Sequence, residues 1–293
     1  MILKMYKTIS IGEVLWDIFP DYKKPGGSPA NLAYHLHILG NKSVLVSRIG
    51  SDKNGVELAD FLTKKGITTE YVQRDDKQPT GVVNVEFKGD EPYYTIAKPS
   101  AWDYIEATAE ILAEVKDAHA ICFASLSQRS ATSAGSLKQL LLNTEPDCLK
   151  VFDLNLRPPF INREAIMQSI ELSDVIKLNE HEYSMVSEWF ETESLAEVLL
   201  KDNPNKTILI TLGADGSAMY TSRGYYKENA HPISGKGDFV GVGDAFLACF
   251  THLKLRNCAE DKILRLSNKY AAYVASQQGG MPEVPDELKG EMK

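Results

Sequence analysis

Short apolar runs alternate with stretches of helical periodicity along most of the chain. The apolar runs lie at residues 8–12, 44–49, 120–125, 150–155, 175–179 and 207–213. Continuous apolar runs are typical of strands buried on both faces of a parallel sheet, and the helices between them are the usual crossover connections. The pattern predicts an α/β fold with a doubly wound, mainly parallel central sheet flanked by helices.

A different pattern, with a period of two, occurs in residues 81–87 and 93–96 on either side of a turn at 88–92. It predicts a β-hairpin. With the mixed apolar segment at residues 13–19, this hairpin is expected to form a small antiparallel sheet. Such a lid, discontinuous and built from about 13–24 and 80–97, would exclude water from a pocket.

Composition narrows the class of partner. The 293 residues carry a net charge of −8 and no basic run, which argues against nucleic acid and anionic membranes as partners and favours a small molecule. No apolar run is long enough to span a membrane, and lysines interrupt the opening apolar patch, so we expect no signal peptide. The four cysteines lack CxxC spacing, which favours reduced thiols and a cytoplasmic location. Without a Pro- or Gly-rich linker, residues 1–293 are predicted to be a single domain.

Polar residues follow three of the predicted strands, at 153–157, 177–182 and 211–216. Ligands of open parallel sheets bind at the carboxyl edge, so this placement indicates a site there. A glycine-rich entry into a later helix, Gly241-Val242-Gly243-Asp244, fits the same edge. Unpaired amides at a helix start are a natural seat for a phosphoryl group, and a carboxylate beside them suits a base that takes a proton from an attacking hydroxyl.

An earlier glycine pair, Gly26-Gly27, precedes a predicted helix that runs to Leu39, with Ser28 as its N-cap. The pair is either a tight turn or a place where the backbone approaches a ligand, to whose hydroxyls Asn31 offers a donor and an acceptor. Asp17 is either a solvated edge residue or a ligand-binding group beside an aromatic wall.

Several nucleotide-binding signatures are absent from the sequence. There is no Walker P-loop, no GxGxxG after the first strand, no protein-kinase HRD or DFG element and no GxSxG elbow. Four other blocks occur in order along almost the whole chain, and together they resemble the ribokinase-like (PfkB-type) carbohydrate kinases. The blocks are Gly26-Gly27 with Asn31, the NxxE of 179–182, the TxGxxG of 211–216 and the GxGD of 241–244.

The resemblance implies roles for the GxGD block. Asp244 would be the general base, and the amides of Gly241, Val242 and Gly243 would form an anion hole for the transferring phosphoryl group. We expect the helix dipole to keep Asp244 ionised and so to limit its basicity. The family often has Thr and Ala where this chain has Phe239 and Val242, so packing around the nucleotide is expected to differ.

The resemblance also implies a set of cofactor and metal contacts for ATP and Mg²⁺. Asn179 and Glu182 would hold Mg²⁺ and phosphates through water, although Glu182 also fits an ordinary helix start. The remaining residues expected around ATP are Thr211, Gly213, Gly216 and Asn268, the last of which fits an adenine contact or a solvated helix position. Many members bind potassium, for which Asp238 and the 279–280 loop are candidates.

On the sugar side, the resemblance implies that Asp17, Gly27 and Asn31 contact substrate. Arg157 fits either a contact with the substrate or the phosphates, or a pair with a carboxylate. The chain is most similar to fructokinases, which implies transfer of the ATP γ-phosphate to a primary hydroxyl of fructose. A 2-keto-3-deoxygluconate, ribose or nucleoside kinase is the nearest alternative. A non-catalytic sugar-binding protein and a dinucleotide-dependent oxidoreductase are alternatives of another class. By analogy, an exposed lid edge would serve a homodimer.

Overall fold

The computed structural model describes residues 4–88 and 91–292. The strands are β1 Lys7–Ile11, β2 Leu15–Ile18, β3 Lys23–Gly26, β4 Lys42–Gly50, β5 Val72–Asp75, β6 Gly81–Lys88, β7 Glu91–Ile96, β8 Ala120–Ala124, β9 Leu149–Asp153, β10 Val175–Asn179, β11 Thr207–Thr211, β12 Ser217–Thr221 and β13 Gly224–Glu228. The α-helices are α1 Ser28–Ile38, α2 Lys53–Lys64, α3 Ala109–Lys116, α4 Ala131–Leu142, α5 Arg163–Leu172, α6 Glu180–Trp189, α7 Leu195–Asp202, α8 Val242–Lys254, α9 Glu260–Ala275 and α10 Asp286–Glu291.

The main sheet has the strand order β13-β12-β11-β10-β9-β8-β1-β4-β5. The strands from β11 to β5 pair in parallel, while β12 and β13 add an antiparallel edge. This confirms the predicted fold class. Helices cover both faces, and separate apolar clusters fill the space beneath each layer. Because β1 lies inside the sheet with β4 on one side and β8 on the other, the direction of winding reverses there, which is where open α/β sheets bind ligands.

The smaller sheet has the order β3-β2-β6-β7, and we call it the lid after the role expected from the sequence. The hairpin of β6 and β7 forms as expected, although Gly89 and Asp90 at the centre of its predicted turn lie outside the described residues. The lid is not wholly antiparallel as expected, because β2 and β6 pair in parallel. More than sixty residues separate these two strands, so the connection is long enough for a parallel pairing, which a tight turn does not allow.

The helix that follows the early glycine pair also differs from expectation at its start. Gly27, with φ of 110°, is the N-cap of α1, and Ser28 is the first helical residue. The Ser28 hydroxyl is therefore not a cap, and it bonds a residue of another element. No helix in the described part of the chain has the length and apolar content that a membrane span requires.

Candidate active site

A cleft with two cavities runs along the carboxyl edge of the main sheet. The first, of about 840 Å³, lies among the ends of β10 and β11 and helices α8 and α9. The second, of about 640 Å³, lies between the lid and the ends of β1 and β9. Phe239, Val242 and Gly243 line both cavities. We call the first the nucleotide half and the second the sugar half, following the roles expected from the sequence.

Asp244 lies in the first turn of α8, where it lines the sugar half, and its side chain is 8% exposed. Its Oδ1 accepts a hydrogen bond from the Ser28 hydroxyl at 2.6 Å, and its Oδ2 accepts one from Asn31 Nδ2 at 2.8 Å. Two residues of α1 thus fix the carboxylate of α8. Sequence reasoning gave Ser28 a capping role because its position beside Pro29 is typical of a helix start, and only the packing of α1 on α8 reveals its actual partner.

Burial raises the pKa of Asp244, while the bonds from Ser28 and Asn31 act in the opposite direction. The expectation that the helix dipole limits its basicity was therefore wrong in direction. Removal from water disfavours the charged carboxylate more strongly than the bonds from Ser28 and Asn31 and the charge of Lys177 favour it. Asp244 is consequently a stronger base than a solvent-exposed aspartate.

The loop ahead of α8 adopts a backbone conformation that requires glycine at position 241. Gly241 is left-handed, with φ of 72°, and a β-carbon there would lie 2.7 Å from the Cα of Gly280. The helix begins at Val242, so the first amides of α8 have no partner within the helix and are available to an anion. Phe239 also has a positive φ, of 58°, and its ring is 63% exposed. The bulky residue that departs from the family pattern therefore lies between the two halves of the cleft.

Lys177 is a site residue that the sequence argument passed over. Its ammonium donates to both oxygens of Asp153, at 2.8 and 3.0 Å, and a β-carbon at Gly243 would lie 3.5 Å from it. Burial acts to lower its pKa, but the charge and hydrogen bonds of Asp153, together with the charges of Glu182 and Asp244, raise it. A fixed positive charge therefore lies beside the first turn of α8. A lysine inside the apolar run of β10 was the available signal, because a buried charge requires a partner.

In the sugar half, both glycines of the early pair leave space for an acidic residue. A β-carbon at Gly26 would lie 2.6 Å from Asp17 Oδ2, and one at Gly27 would overlap the carbonyl oxygen of Glu13. Burial raises the pKa of Asp17 to about 6, against the opposing charges of Arg157 and a lysine on β3. Asp17 is thus a half-buried group that lines the cavity, not a solvated edge residue.

Glu13 is a second acid that sequence reasoning did not single out. It is 3% exposed and lines the sugar half, and among the described residues its Oε2 has no hydrogen-bond partner. Burial raises its pKa to about 7, with Asp244 adding to the effect and Arg157 opposing it. Its place directly after the first strand was the signal, since that is the carboxyl edge of the sheet.

Asn31 and Arg157 complete the sugar half. Asn31 uses its amide nitrogen on Asp244, and its buried Oδ1 has no hydrogen-bond partner among the described residues. Arg157 is exposed, lines the cavity and bonds the carbonyl of Leu156 at 3.0 Å. No ion pair with a carboxylate is formed by Arg157 among the described residues.

The nucleotide half has walls of small and apolar side chains with few charges. Its lining includes all four residues expected around ATP, Thr211, Gly213, Gly216 and Asn268, as well as Asn179. Gly216 has a positive φ of 90°, and a β-carbon there would overlap the carbonyl oxygen of Glu228. Asn268 is 7% exposed and donates to the carbonyls of Glu228 and Asn229, so it is not a solvated helix residue.

Asn179 and Glu182 form a capping box at the start of α6. Asn179 Oδ1 accepts from the amide of Glu182 at 2.8 Å, and Glu182 Oε2 accepts from the amide of Asn179 at 2.9 Å. Glu182 Oε1 accepts from the amide of Leu156 at 2.8 Å. Both carboxylate oxygens thus bind backbone, so Glu182 fits an outer role toward Mg²⁺ through water and not direct ligation. Within residues 4–88 and 91–292, no cluster of three metal-ligating side chains occurs.

The carboxylate expected to bind potassium, Asp238, is fully engaged by the protein. Its oxygens accept from the amides of Val240 and Gly279 and from the ammonium of Lys24, which lies 2.8 Å from Oδ2. The lysine charge and the amide bonds lower the pKa of Asp238 despite its partial burial. The position beside Asp238 Oδ2 that a cation would need is thus occupied by the Lys24 ammonium.

Comparisons with known proteins give the family and the fold. A model of the pfkB family carbohydrate kinases matches residues 21–287. A fructokinase of Escherichia coli is 26% identical over 306 residues, which covers 96% of this chain and 97% of that protein. The structure of a Xylella fastidiosa fructokinase with bound ATP has a TM-score of 0.87 at 21% identity, over 98% of each chain. A fructokinase double mutant of Vibrio cholerae, with fructose, ADP and a potassium ion bound, has a TM-score of 0.78 at 23% identity, over 99% of each chain.

The matched region covers most of the chain, which therefore belongs to the pfkB family of carbohydrate kinases. The protein is a phosphotransferase that acts on sugars. Its fold is that of the ribokinase-like structures, with a mainly parallel sheet and a separate lid sheet.

Proposed function

We propose that this protein transfers the γ-phosphate of ATP to the primary hydroxyl of fructose, giving fructose 6-phosphate. The observation that carries the proposal is the position of Asp244. The carboxylate lies where the sugar half meets the first turn of α8, held by Ser28 and Asn31. A base placed between a hydroxyl and an anion seat has the geometry that phosphoryl transfer requires.

In this mechanism, the sugar hydroxyl attacks the γ-phosphorus as the bond to the β-phosphate oxygen breaks. Asp244 receives the hydroxyl proton, and ADP leaves with the electron pair of the broken bond. The amides of Gly241, Val242 and Gly243 and the ammonium of Lys177 lie where negative charge develops. In a loose transition state the proton leaves late, and the raised pKa of Asp244 favours that transfer.

Mg²⁺ would accompany ATP and neutralise its phosphates. Asn179 and Glu182 would hold its hydration shell, since the carboxylate oxygens of Glu182 bind backbone amides directly. The chain's own contribution is to orient these groups at the start of α6, beside the nucleotide half.

Charge in the sugar half favours a neutral sugar over an acidic one. Among the described residues that line it, Arg157 and Lys177 are the cations, and Lys177 is bound to Asp153. Glu13, Asp17 and Asp244 line the same space. A carboxylate-bearing sugar such as 2-keto-3-deoxygluconate would meet more negative than positive charge, and like charges disfavour binding.

An ADP-release assay over fructose, glucose, ribose, adenosine and 2-keto-3-deoxygluconate tests the substrate. We expect the highest kcat/KM with fructose. A higher value with any other compound would replace fructose as the substrate, and turnover with none would leave only the family assignment. ATP binding measured by calorimetry separates a failure to bind nucleotide from a wrong choice of sugar.

A homodimer through the lid remains a prediction. The edge strands of the lid sheet are β3 and β7, and edge strands offer unpaired backbone groups to a partner. Light scattering after size-exclusion chromatography should give twice the monomer mass. A monomer mass at the concentrations used for kinetics would contradict the dimer.

A further inference from the structure

An ion pair joins the lid to the loop that leads into α8. Lys24, on lid strand β3, places its ammonium 2.8 Å from Oδ2 of Asp238, and the two side chains are 31% and 20% exposed. The residues are 214 positions apart in the chain, and the pair joins the lid sheet to the loop ahead of α8. It is therefore a contact between two separate elements of the cleft, not a local surface pair.

The Asp238 carboxylate has a complete set of partners. Oδ1 accepts from the amides of Val240 and Gly279 at 3.2 and 3.1 Å, and Oδ2 accepts from Gly279 at 2.9 Å and from Lys24. A carboxylate offers about four acceptor sites, and four contacts are present. A metal cation could reach these oxygens only by displacing the ammonium.

Neutralisation of Asp238 matters because of the ligand expected nearby. The carboxylate lies three residues ahead of Gly241, where the anion-binding turn begins. An unpaired carboxylate there would repel an incoming phosphoryl group, whereas a paired one would not. The positive charge of Lys24 removes that repulsion without a bound ion.

Asp238 also holds a second turn against the anion-binding loop. It accepts a hydrogen bond from the amide of Gly279. The next residue, Gly280, packs so closely on Gly241 that a β-carbon at Gly241 would lie 2.7 Å from the Cα of Gly280. Gly280 also contacts the Asn31 side chain, which in turn bonds Asp244. A loss of charge balance at Asp238 would therefore be transmitted to the base.

Lys24 is held in a defined position on the lid. It pairs across the lid ladder with Asp17, the acid of the sugar half. Its ammonium lies 6.0 Å from the ring centre of Phe19 and 5.6 Å from that of Tyr22, and the two rings stack at 4.5 Å. The same strand pair thus carries a sugar-side acid and the cation that reaches Asp238.

We propose that Lys24 supplies, from within the chain, the positive charge that a monovalent cation would otherwise supply at Asp238. It is a positioning residue that couples lid closure to the anion-binding loop, and it makes turnover independent of potassium. This inference rests on the proposed kinase function.

The test compares the unaltered protein with Lys24→Met in KCl and in choline chloride at matched ionic strength. Fructose-dependent ADP release and thermal unfolding are both measured. We expect kcat/KM of the unaltered protein to differ less than about twofold between the salts. Lys24→Met should lose about tenfold or more in choline chloride and recover at least about fivefold in KCl, because the ion fills the vacated charge position. KCl should also raise the melting temperature of Lys24→Met more than that of the unaltered protein.

Lys23→Met is the matched control, because its side chain bonds Glu57 and Asn54 on the α2 side and not Asp238. It should show no difference between the salts. The proposal is overturned if KCl activates the unaltered protein severalfold, if Lys24→Met behaves alike in both salts, or if its loss of activity is not restored by KCl. If the unaltered protein phosphorylates no sugar, the proposed function fails, and the response of the melting temperature to KCl still decides the role of Lys24.

Discussion

The two halves of the cleft are built for recognition in different ways. The nucleotide half has mostly small and apolar walls, and Asn268 braces a loop beside it. The sugar half gathers partly and fully buried acids, with the pKa of Asp17 raised to about 6 and that of Glu13 raised to about 7. Binding in the sugar half should therefore respond to the protonation of these carboxylates. Substitutions on the two sides should therefore have separable effects.

The largest effect is expected at the junction of the halves. Asp244→Asn keeps the shape and the bond to Ser28 but removes the base, so kcat should fall about 10³-fold. The affinities for ATP and fructose should change little, because the substitution keeps the shape of both cavities. The measurement is steady-state ADP release beside calorimetric ATP binding. A folded Asp244→Asn protein with near-normal kcat would refute the base assignment.

The second effect is confined to the sugar half. In Gly27→Ala the new β-carbon would overlap the carbonyl oxygen of Glu13, at a φ of 110° that alanine rarely adopts. We expect kcat/KM for fructose to fall about 100-fold, as displaced substrate contacts cost that order of rate. The Kd for ATP should stay within about twofold.

The control for this change is Gly135→Ala on α4. A β-carbon at Gly135 would point into open space, with no atom beyond its own stretch of helix within 4 Å, and alanine is the better helix former. Its kinetics should equal those of the unaltered protein. Equal losses in fructose and ATP binding by Gly27→Ala would show that the two halves are not separable.

The contrast between the halves also explains what the sequence revealed. The apolar runs predict the central parallel strands but not their order in the sheet. Glycine spacing predicts the loops of the nucleotide half, because backbone constraints produce periodic or regularly spaced patterns. The edge strands β5 and β13 were missed, since each is short and half polar. Their pairing depends on neighbours that the local pattern does not contain.

Contacts between side chains were harder to predict from the sequence than the backbone structure. Ser28 fits a cap by position, and its bond to Asp244 arises only because α1 packs on α8, 216 positions away. The raised pKa of Asp244 likewise depends on burial by several elements. The position of Glu13 just after β1 indicates a site residue from the sequence alone. That its Oε2 lacks a hydrogen-bond partner, however, follows only from the assembled cavity.

A third, smaller effect concerns stability and pH. The pKa of Glu13 is raised from its usual 4.5 to about 7, so the folded protein binds a proton that the unfolded chain releases within that range. Stability should therefore decline as pH rises from about 4.5 to 7. Glu13→Gln removes the cost of a buried charge and should stabilise the protein at pH 8 by about 2 kcal/mol, with little difference near pH 5.

Urea unfolding at both pH values measures this difference. Glu188→Gln, at an exposed position on α6, is the control and should leave the pH profile unchanged. A Glu13→Gln protein that is less stable than the unaltered one at pH 8 would mean that the Glu13 carboxylate has a stabilising partner in the folded state. That outcome would contradict the description of the sugar half as a site of buried acids with raised pKa values.

The smallest effect is expected in the nucleotide half. Asn268→Ala leaves the carbonyls of Glu228 and Asn229 without their donor, which should lower stability by about 1 kcal/mol and loosen the loop beside the nucleotide half. We expect ATP binding to weaken by at most about fivefold, the factor that corresponds to that free energy. The KM for fructose should not change. Ser217→Ala serves as the graded comparison, because it removes only the hydroxyl bond to Asn268 Oδ1 and should weaken ATP binding less. Calorimetry with ATP on the three proteins gives the order, and an effect of Asn268→Ala on fructose but not on ATP would reverse the assignment of the two halves.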